Sequence, residues 1–117
     1  MYEIYKLPQG KIVFIYTSKT LNTGTLYLNP HQHLERHNRP VTEQLVQLVG
    51  TCVMKLFDGE KLIKEITLQE NDTLIIPAKQ FHMHTNPTDK ISVTIWKFEG
   101  DISEVLQGQR DANEKIL

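Results

Sequence analysis

The chain has 117 residues, with 13 Lys and Arg against 14 Asp and Glu. That length suits one domain and excludes a two-domain enzyme. The balanced charge argues against a nucleic-acid partner, and no apolar run approaches the roughly 20 residues of a membrane-spanning helix. Because Cys52 is the single cysteine and no secretory signal is recognisable at the N-terminus, we expect a cytoplasmic protein.

Residues 2–98 consist of short β-rich segments separated by turn residues, without a sustained helical period. Asp58-Gly59 between two apolar segments predicts a hairpin, since both residues tolerate the positive φ of a tight turn. The pattern indicates an all-β sandwich or barrel. The predicted strands are 2–7, 11–17, 25–29, 44–49, 51–57, 62–66, 73–77, 81–86 and 91–98.

We expect residues 1–100 to form a single barrel domain and residues 101–117 a partly helical C-terminal tail. Asp101 is a candidate helix cap, and Ile102, Val105 and Leu106 would share one helix face. From Gly108 onward we expect irregular structure. The apolar first two strands are predicted to be sheet edges that a second copy covers, which predicts a homodimer.

The five histidines fall in two short windows. His31, His33 and His37 lie in the first, and His82 and His84 in the second. Residues two apart on a strand point to the same face, and imidazole is a common ligand of transition metals. By the same rule Glu35, His37 and Arg39 share a face if that segment is extended, and so does His33 if no bulge intervenes.

Glu43 stands at the start of an apolar strand. If its carboxylate points inward, it needs a cation or hydrogen-bond donors to offset desolvation. The alternative is an edge residue that faces water.

The second window is similar to the second motif of the cupin superfamily. That motif reads Gly, five residues, Pro, one residue, Gly, two residues, His, three residues, Asn. The corresponding residues here are Asn71, Pro77, Lys79, His82 and Asn86, without a gap. Two motif glycines are therefore replaced; Asn71 tolerates a left-handed backbone better than Lys79 does.

The first cupin motif reads Gly, five residues, His, one residue, His, three or four residues, Glu, six residues, Gly. Counting back from Gly50 without a gap aligns Glu43, Arg39, His37 and His31 with the motif. Arginine thus replaces the second histidine, and a guanidinium cannot bind a metal. An alternative alignment uses His31 and His33 as the histidine pair but leaves too many residues before Glu43.

The resemblance covers residues 24–98 and implies a cupin-type double-stranded β-helix, also called a jelly-roll barrel, with a short helical or irregular tail. It further implies a divalent transition metal (iron, manganese, nickel or zinc) held inside the barrel by His37, Glu43 and His82, with His33 and His84 as further candidate ligands. Arg39 and Glu35 are then the candidate substrate-binding residues, because a guanidinium binds a carboxylate or phosphate bidentately.

Fold alone does not determine chemistry, so three classes of function stay open at this point. The first is a metal-binding cupin that acts on a small anionic molecule as an oxygenase, isomerase or lyase. The second is a metal-free polar pocket that binds a ligand or transfers protons, as in epimerases of related fold. The third is a non-enzymatic sensory or structural barrel.

Overall fold

The computed structural model describes residues 2–117 and contains two antiparallel β-sheets whose buried faces share one hydrophobic core. Each of the nine predicted strands is present, and the all-β class is confirmed. The strands are β1 (Glu3–Leu7), β2 (Gly10–Tyr16), β3 (Asn22–Leu28), β4 (Glu43–Val49), β5 (Cys52–Asp58), β6 (Lys61–Leu68), β7 (Thr73–Ile76), β8 (Phe81–Thr85), β9 (Ser92–Phe98) and β10 (Glu114–Lys115), with helix α1 (Ser103–Ala112) before β10.

The larger sheet has the strand order β10-β1-β2-β3-β9-β4-β7, and the smaller one β6-β5-β8. The predicted hairpin at Asp58-Gly59 is confirmed: Asp58 pairs with Lys61, and Gly59 has a φ of 60°. The non-consecutive neighbours β3, β9 and β4 show that the chain crosses between the sheets, as in a jelly roll. This crossing brings β4 and β8, which carry Glu43 and the second histidine window, to the same core.

Period-two alternation decides which side chains of β4 enter the core. Glu43, Leu45 and Gln47 are buried, whereas Val46 and Leu48 are exposed. Glu43 therefore faces inward with 5% of its surface exposed, and it is not the water-facing edge residue of the alternative interpretation. Its inward carboxylate then requires a partner inside the barrel.

The expectation that the first two strands form sheet edges is wrong. β2 lies between β1 and β3, and β1 pairs with β10 through Tyr5 and Lys6 on its other side. The reason is that the C-terminal segment, which we expected to be irregular from Gly108 onward, covers the outer edge of β1. In the structure α1 continues through Gly108 to Ala112, and the chain then returns to pair with β1.

The helix forms where the apolar stripe predicted it. Ile102 and Leu106 are buried and Val105 is half-buried. Asp101 is not the helix cap that the sequence predicted: the N-cap is Ile102, without a side-chain capping hydrogen bond. The Asp101 carboxylate instead accepts the backbone N–H of Ser103, the first helical residue, at 2.9 Å. Gly108 costs the helix about 1 kcal/mol relative to alanine, and burial of the apolar face offsets that cost. Within residues 2–117 no helix has the length and apolar character needed to cross a membrane.

Candidate metal centre

Strand β8 and the segment that precedes β4 lie side by side and carry the histidines. The His37 N–H donates to the His82 carbonyl at 3.0 Å, and the His82 N–H donates back at 2.8 Å. Two residues further along β8, the Leu34 N–H donates to the His84 carbonyl at 3.0 Å. This pairing places the His37 ring against the rings of His82 and His84, with centroids 4.4 and 5.7 Å away.

Nitrogen atoms of His37, His82 and His84, one from each ring, lie within 4.8 Å of one another. His82 and His84 are buried and belong to one face of β8, as residues two apart on a strand should. The centroids of their two rings are 5.5 Å apart. This three-histidine cluster includes His84, which the sequence pointed to only as a further candidate.

His33 does not join the cluster. His33 pairs with Thr85, whereas His37 pairs with His82. The segment from His33 to His37 therefore contains one more residue than the stretch of β8 that it faces. That bulge turns His33 away from the face of His37. The His33 side chain is exposed and borders a groove on the outer side of the smaller sheet. His31 is also exposed, and its Nε2 lies 2.6 Å from Asp89.

Hydrogen bonds to backbone carbonyls show which ring nitrogen of His37 and of His82 carries the proton. Nδ1 of His37 contacts the Glu35 carbonyl, and Nδ1 of His82 contacts the Gln80 carbonyl, both at 2.8 Å. Because a carbonyl oxygen only accepts, each Nδ1 carries the proton and each Nε2 presents a lone pair. Both Nε2 atoms are thereby prepared to bind a cation.

Glu43 completes the polar end of the barrel. Its Oε1 lies 3.1 Å from Nε2 of His82, but neither atom has a hydrogen-bond partner in the described part of the chain. The proximity alone would suggest an ion pair, yet the geometry does not join the two atoms in a hydrogen bond. Two buried acceptors therefore face each other, an arrangement that repels unless a cation stands beside both.

The electrostatic environment keeps the neighbouring imidazoles neutral. Burial lowers the pKa of His37 to about 3, with a further contribution from the positive charge of Arg39. Burial also lowers the pKa of His84 well below its usual value. Neutral imidazole is the form that binds metals, so the donor set fits a transition metal near pH 7.

Arg39 borders the same space. Burial lowers its pKa while the nearby Glu43 carboxylate raises it, so the guanidinium stays charged. Its Nη1 donates to the Asn38 carbonyl at 3.3 Å. Within residues 2–117, no carboxylate oxygen lies within 4 Å of its side-chain nitrogens.

A cavity of about 380 Å³ opens beside these residues. Glu35, His37, Arg39, Glu43 and His84 line its polar side, and the exposed Glu35 side chain stands at its rim. Helix α1 closes the other side, a role that the sequence analysis missed; the signal was the stripe of apolar residues after Asp101. The remaining lining residues are Leu7, Pro8, Gln9, Ile12, Phe14, Leu26, Leu34, Arg36, Trp96, Phe98, Ile102, Val105, Leu106, Gln109 and Asn113.

The residues at the cupin motif glycines have the backbone conformation that the motifs require. His31, Asn71 and Lys79 are the non-glycine residues with positive φ in the described chain, at 61°, 75° and 68°. Gly50, which ends the first motif, has a φ of 69°. All four residues that the gap-free alignment places at motif glycines thus have a left-handed backbone. The same alignment makes His37 the motif histidine, and it is His37, not His33, that lies in the cluster.

Comparison with known structures agrees with this fold. An oxalate decarboxylase of Lactobacillus farciminis, in complex with formate, superposes with a TM-score of 0.75 over 85% of this chain and 31% of its own, at 20% identity. An oxalate decarboxylase of Bacillus subtilis with Mn(II) centres gives 0.72 over 81% of this chain and 27% of its own, at 22% identity. The chain has the cupin fold. A third cupin, the DMSP lyase DddQ of Ruegeria pomeroyi DSS-3, gives 0.64 over 74% of this chain and 41% of its own, at 17% identity.

A sequence relative is also a cupin. A 3-hydroxyanthranilate 3,4-dioxygenase of Jannaschia sp. (strain CCS1) is 27% identical over 86 residues, which are 74% of this chain and 42% of the relative. No family model matches the sequence. The chain spans less than half the length of these relatives, and their different activities show that the shared fold does not decide the reaction.

Proposed function

We propose that this cupin binds a divalent transition metal and a small anionic molecule at the polar end of its barrel, and that it is a metal-dependent enzyme acting on that anion. The metal ligands are His37, His82 and Glu43, as the motifs predict, together with His84. Three neutral imidazoles and one carboxylate suit iron, manganese, nickel or zinc. His33, which lies outside the cluster, is not part of this set.

One observation carries the proposal. The lone pair of His82 Nε2 and the Glu43 Oε1 oxygen lie 3.1 Å apart in the core without a hydrogen bond. Orphaned buried acceptors are rare in proteins, and a shared cation satisfies both. The Gln80 carbonyl holds the His82 ring in the tautomer that such a cation needs.

His84 compensates for the altered first motif. In cupins that motif supplies two histidines, but Arg39 stands at the second position here. His84 follows His82 on the same face of β8, so the strand of the second motif supplies the third imidazole that the first motif lacks. The change leaves Arg39 free to bind the anion, bidentately if it carries a carboxylate or phosphate.

A bound divalent metal would act as a Lewis acid toward an oxygen of the substrate. The chain's own residues bind and orient that substrate. Arg39 neutralises its charge, Glu35 stands at the cavity rim, and the Glu35 carbonyl orients the His37 ring. The relatives include a dioxygenase, decarboxylases and a lyase.

A metal-free polar pocket is the second candidate. The fixed charge of Arg39 beside the histidines disfavours a divalent cation, and a second proton on His82 would neutralise the contact with Glu43. In that case the site would bind an anion and transfer protons. The buried contact would then be a hydrogen-bonded ion pair, which the present geometry does not form.

Cys52 has no role in this proposal. It is fully buried, and burial raises the pKa of its thiol to about 11. Such a thiol stays protonated and unreactive near pH 7. A buried free thiol suits the reducing cytoplasm, where we place the protein.

Elemental analysis tests the proposal. Protein prepared without chelator or affinity tag, and supplemented with iron, manganese, nickel and zinc, should contain close to one metal ion per chain. His82→Ala or His84→Ala should weaken metal binding by at least about 100-fold. Loss of a group that only hydrogen-bonds to a metal ligand already costs about 10- to 100-fold in metal affinity, and each of these variants removes a ligand itself. Metal content measured by mass spectrometry checks both variants.

His33→Ala is the matched control, since it makes the same change outside the cluster, and it should keep the metal. Cys52→Ser should also keep it. Protein without stoichiometric metal after supplementation would refute the metal centre and favour the metal-free pocket.

A further inference from the structure

The cavity beside the candidate metal centre has two chemically different sides. The charged residues and histidines that line it, on its polar side, are Glu35, Arg36, His37, Arg39, Glu43 and His84. The other side comes from strands β2, β3 and β9 and from helix α1, and it is almost entirely apolar. A ligand that fills the cavity therefore needs a charged end and an apolar body.

The polar side calls for an anion. Arg39 is half-buried, and no carboxylate in residues 2–117 lies within 4 Å of its nitrogens. A partly desolvated guanidinium that no carboxylate contacts directly is costly, and a carboxylate from a ligand offsets that cost through charge-assisted hydrogen bonds.

The apolar side calls for a body of substantial size. At about 30 Å³ for a water-sized group, the cavity of about 380 Å³ holds roughly a dozen such groups. Oxalate, with about half as many non-hydrogen atoms, would leave apolar walls unfilled. Phe14, Trp96 and Phe98 lie next to one another in the cavity lining, and Val105 of α1 also lines the cavity.

We propose that the ligand is a monocarboxylate with an aromatic or similarly bulky apolar body, with its carboxylate at Arg39 and its body between β9 and helix α1. This inference rests on the proposed function only in placing the carboxylate next to the metal. Helix α1 then determines specificity, because Val105 sets how large a body fits. Residues 101–117 thus belong to the binding site and are not a surface tail.

Isothermal titration calorimetry with three probes tests this inference on metal-loaded and on chelator-treated protein. Benzoate has the charge and the body, benzamide has the same shape without the charge, and oxalate has charge without the body. Benzoate should bind metal-loaded protein at least about tenfold more tightly than either of the others. Arg39→Gln should remove the preference for benzoate over benzamide.

Val105→Phe tests the wall. It fills the cavity and should weaken benzoate binding at least about tenfold without changing metal content. Gln107→Phe, the same side chain on the exposed face of α1, is the matched control and should bind benzoate like the unmodified protein. If Val105→Phe does not fold, Val105→Ala serves instead; it should improve binding of naphthoate relative to benzoate.

The outcomes separate the two proposals. Metal-loaded protein that binds oxalate as tightly as benzoate, or binds no benzoate, overturns this inference and leaves the metal centre standing. Protein that binds no metal but binds benzoate in an Arg39-dependent manner supports this inference and refutes the metal centre.

Discussion

At the scale of single residues, the fold requires a left-handed backbone at three positions where the side chain disfavours it. His31, Asn71 and Lys79 have positive φ, although each carries a Cβ. A left-handed backbone costs an ordinary residue about 1–2 kcal/mol, and asparagine less. Lys79 accepts this cost because its turn positions Arg39: the Lys79 N–H donates to the Arg39 carbonyl at 2.7 Å.

Lys79→Gly should therefore stabilise the protein. Relief of the left-handed strain exceeds the extra entropy that glycine gives the unfolded chain, so we expect the free energy of unfolding to rise by about 0.5–1 kcal/mol. Asn71→Gly, at the equivalent turn, should change it by less than about 0.3 kcal/mol because asparagine tolerates this conformation. Urea denaturation measures both, and a gain no larger for Lys79→Gly than for Asn71→Gly would contradict the strain.

At the scale of elements, one ion pair holds helix α1 against strand β1. The Arg110 guanidinium donates to both Glu3 carboxylate oxygens, at 3.0 and 2.9 Å, and lies over the Phe14 ring. The Tyr5 hydroxyl donates to the same carboxylate at 2.6 Å. These donors, Arg110 foremost, lower the pKa of Glu3 to about 2. The pair secures the helix that closes the cavity.

This ion pair predicts a pH dependence of stability. Because the pKa of Glu3 is lower in the folded chain than the usual 4.5, its contribution is complete above about pH 4.5 and is lost as the pH falls toward 2. Glu3→Gln should reduce the free energy of unfolding by about 1–2 kcal/mol at pH 7, a figure discounted for partial exposure. The difference from the unmodified protein should shrink in denaturation curves recorded at pH 3.

Glu104→Gln is the control for this prediction, since Glu104 is exposed and lies on the same helix. It should have little effect at either pH. A Glu3→Gln difference that stays constant between pH 7 and pH 3 would show that the ion pair does not stabilise the helix.

At the scale of the whole molecule, the outer face of the larger sheet carries exposed apolar side chains. Val46 and Leu48 on β4 are 37% and 48% exposed, and Ile75 on the neighbouring edge strand β7 is 66% exposed. The pairing of β4 with β7 puts Ile75 on the same face as Val46. An apolar patch of this kind is typical of an interface between protein chains.

We still expect a homodimer, with this face rather than β1 and β2 in the interface. Sedimentation at about 50 µM should show a dimer, and Ile75→Glu should shift it to monomer, because it places a charge in the buried interface. Ile63→Glu, at a 53% exposed position on the smaller sheet, is the matched control. A monomer before any substitution would disprove the dimer.

The sequence by itself determined the strand pattern, the hairpin at Asp58-Gly59 and the cupin fold, because these depend on local alternation, turn chemistry and motif spacing. It also pointed to His37, Glu43 and His82. Only the tertiary structure decided between His33 and His84, since one extra residue beside β8 turns His33 outward while strand periodicity keeps His84 beside His82.

The tertiary structure likewise decided the role of the C-terminal segment. Local propensity ended the helix near Gly108, but packing of Leu106 and the Glu3–Arg110 pair extend it, and pairing with β1 orders the residues beyond. These contacts join residues more than 100 positions apart in the chain. Local patterns contain no information about such distant contacts, so the wall that closes the cavity emerged only from the folded chain.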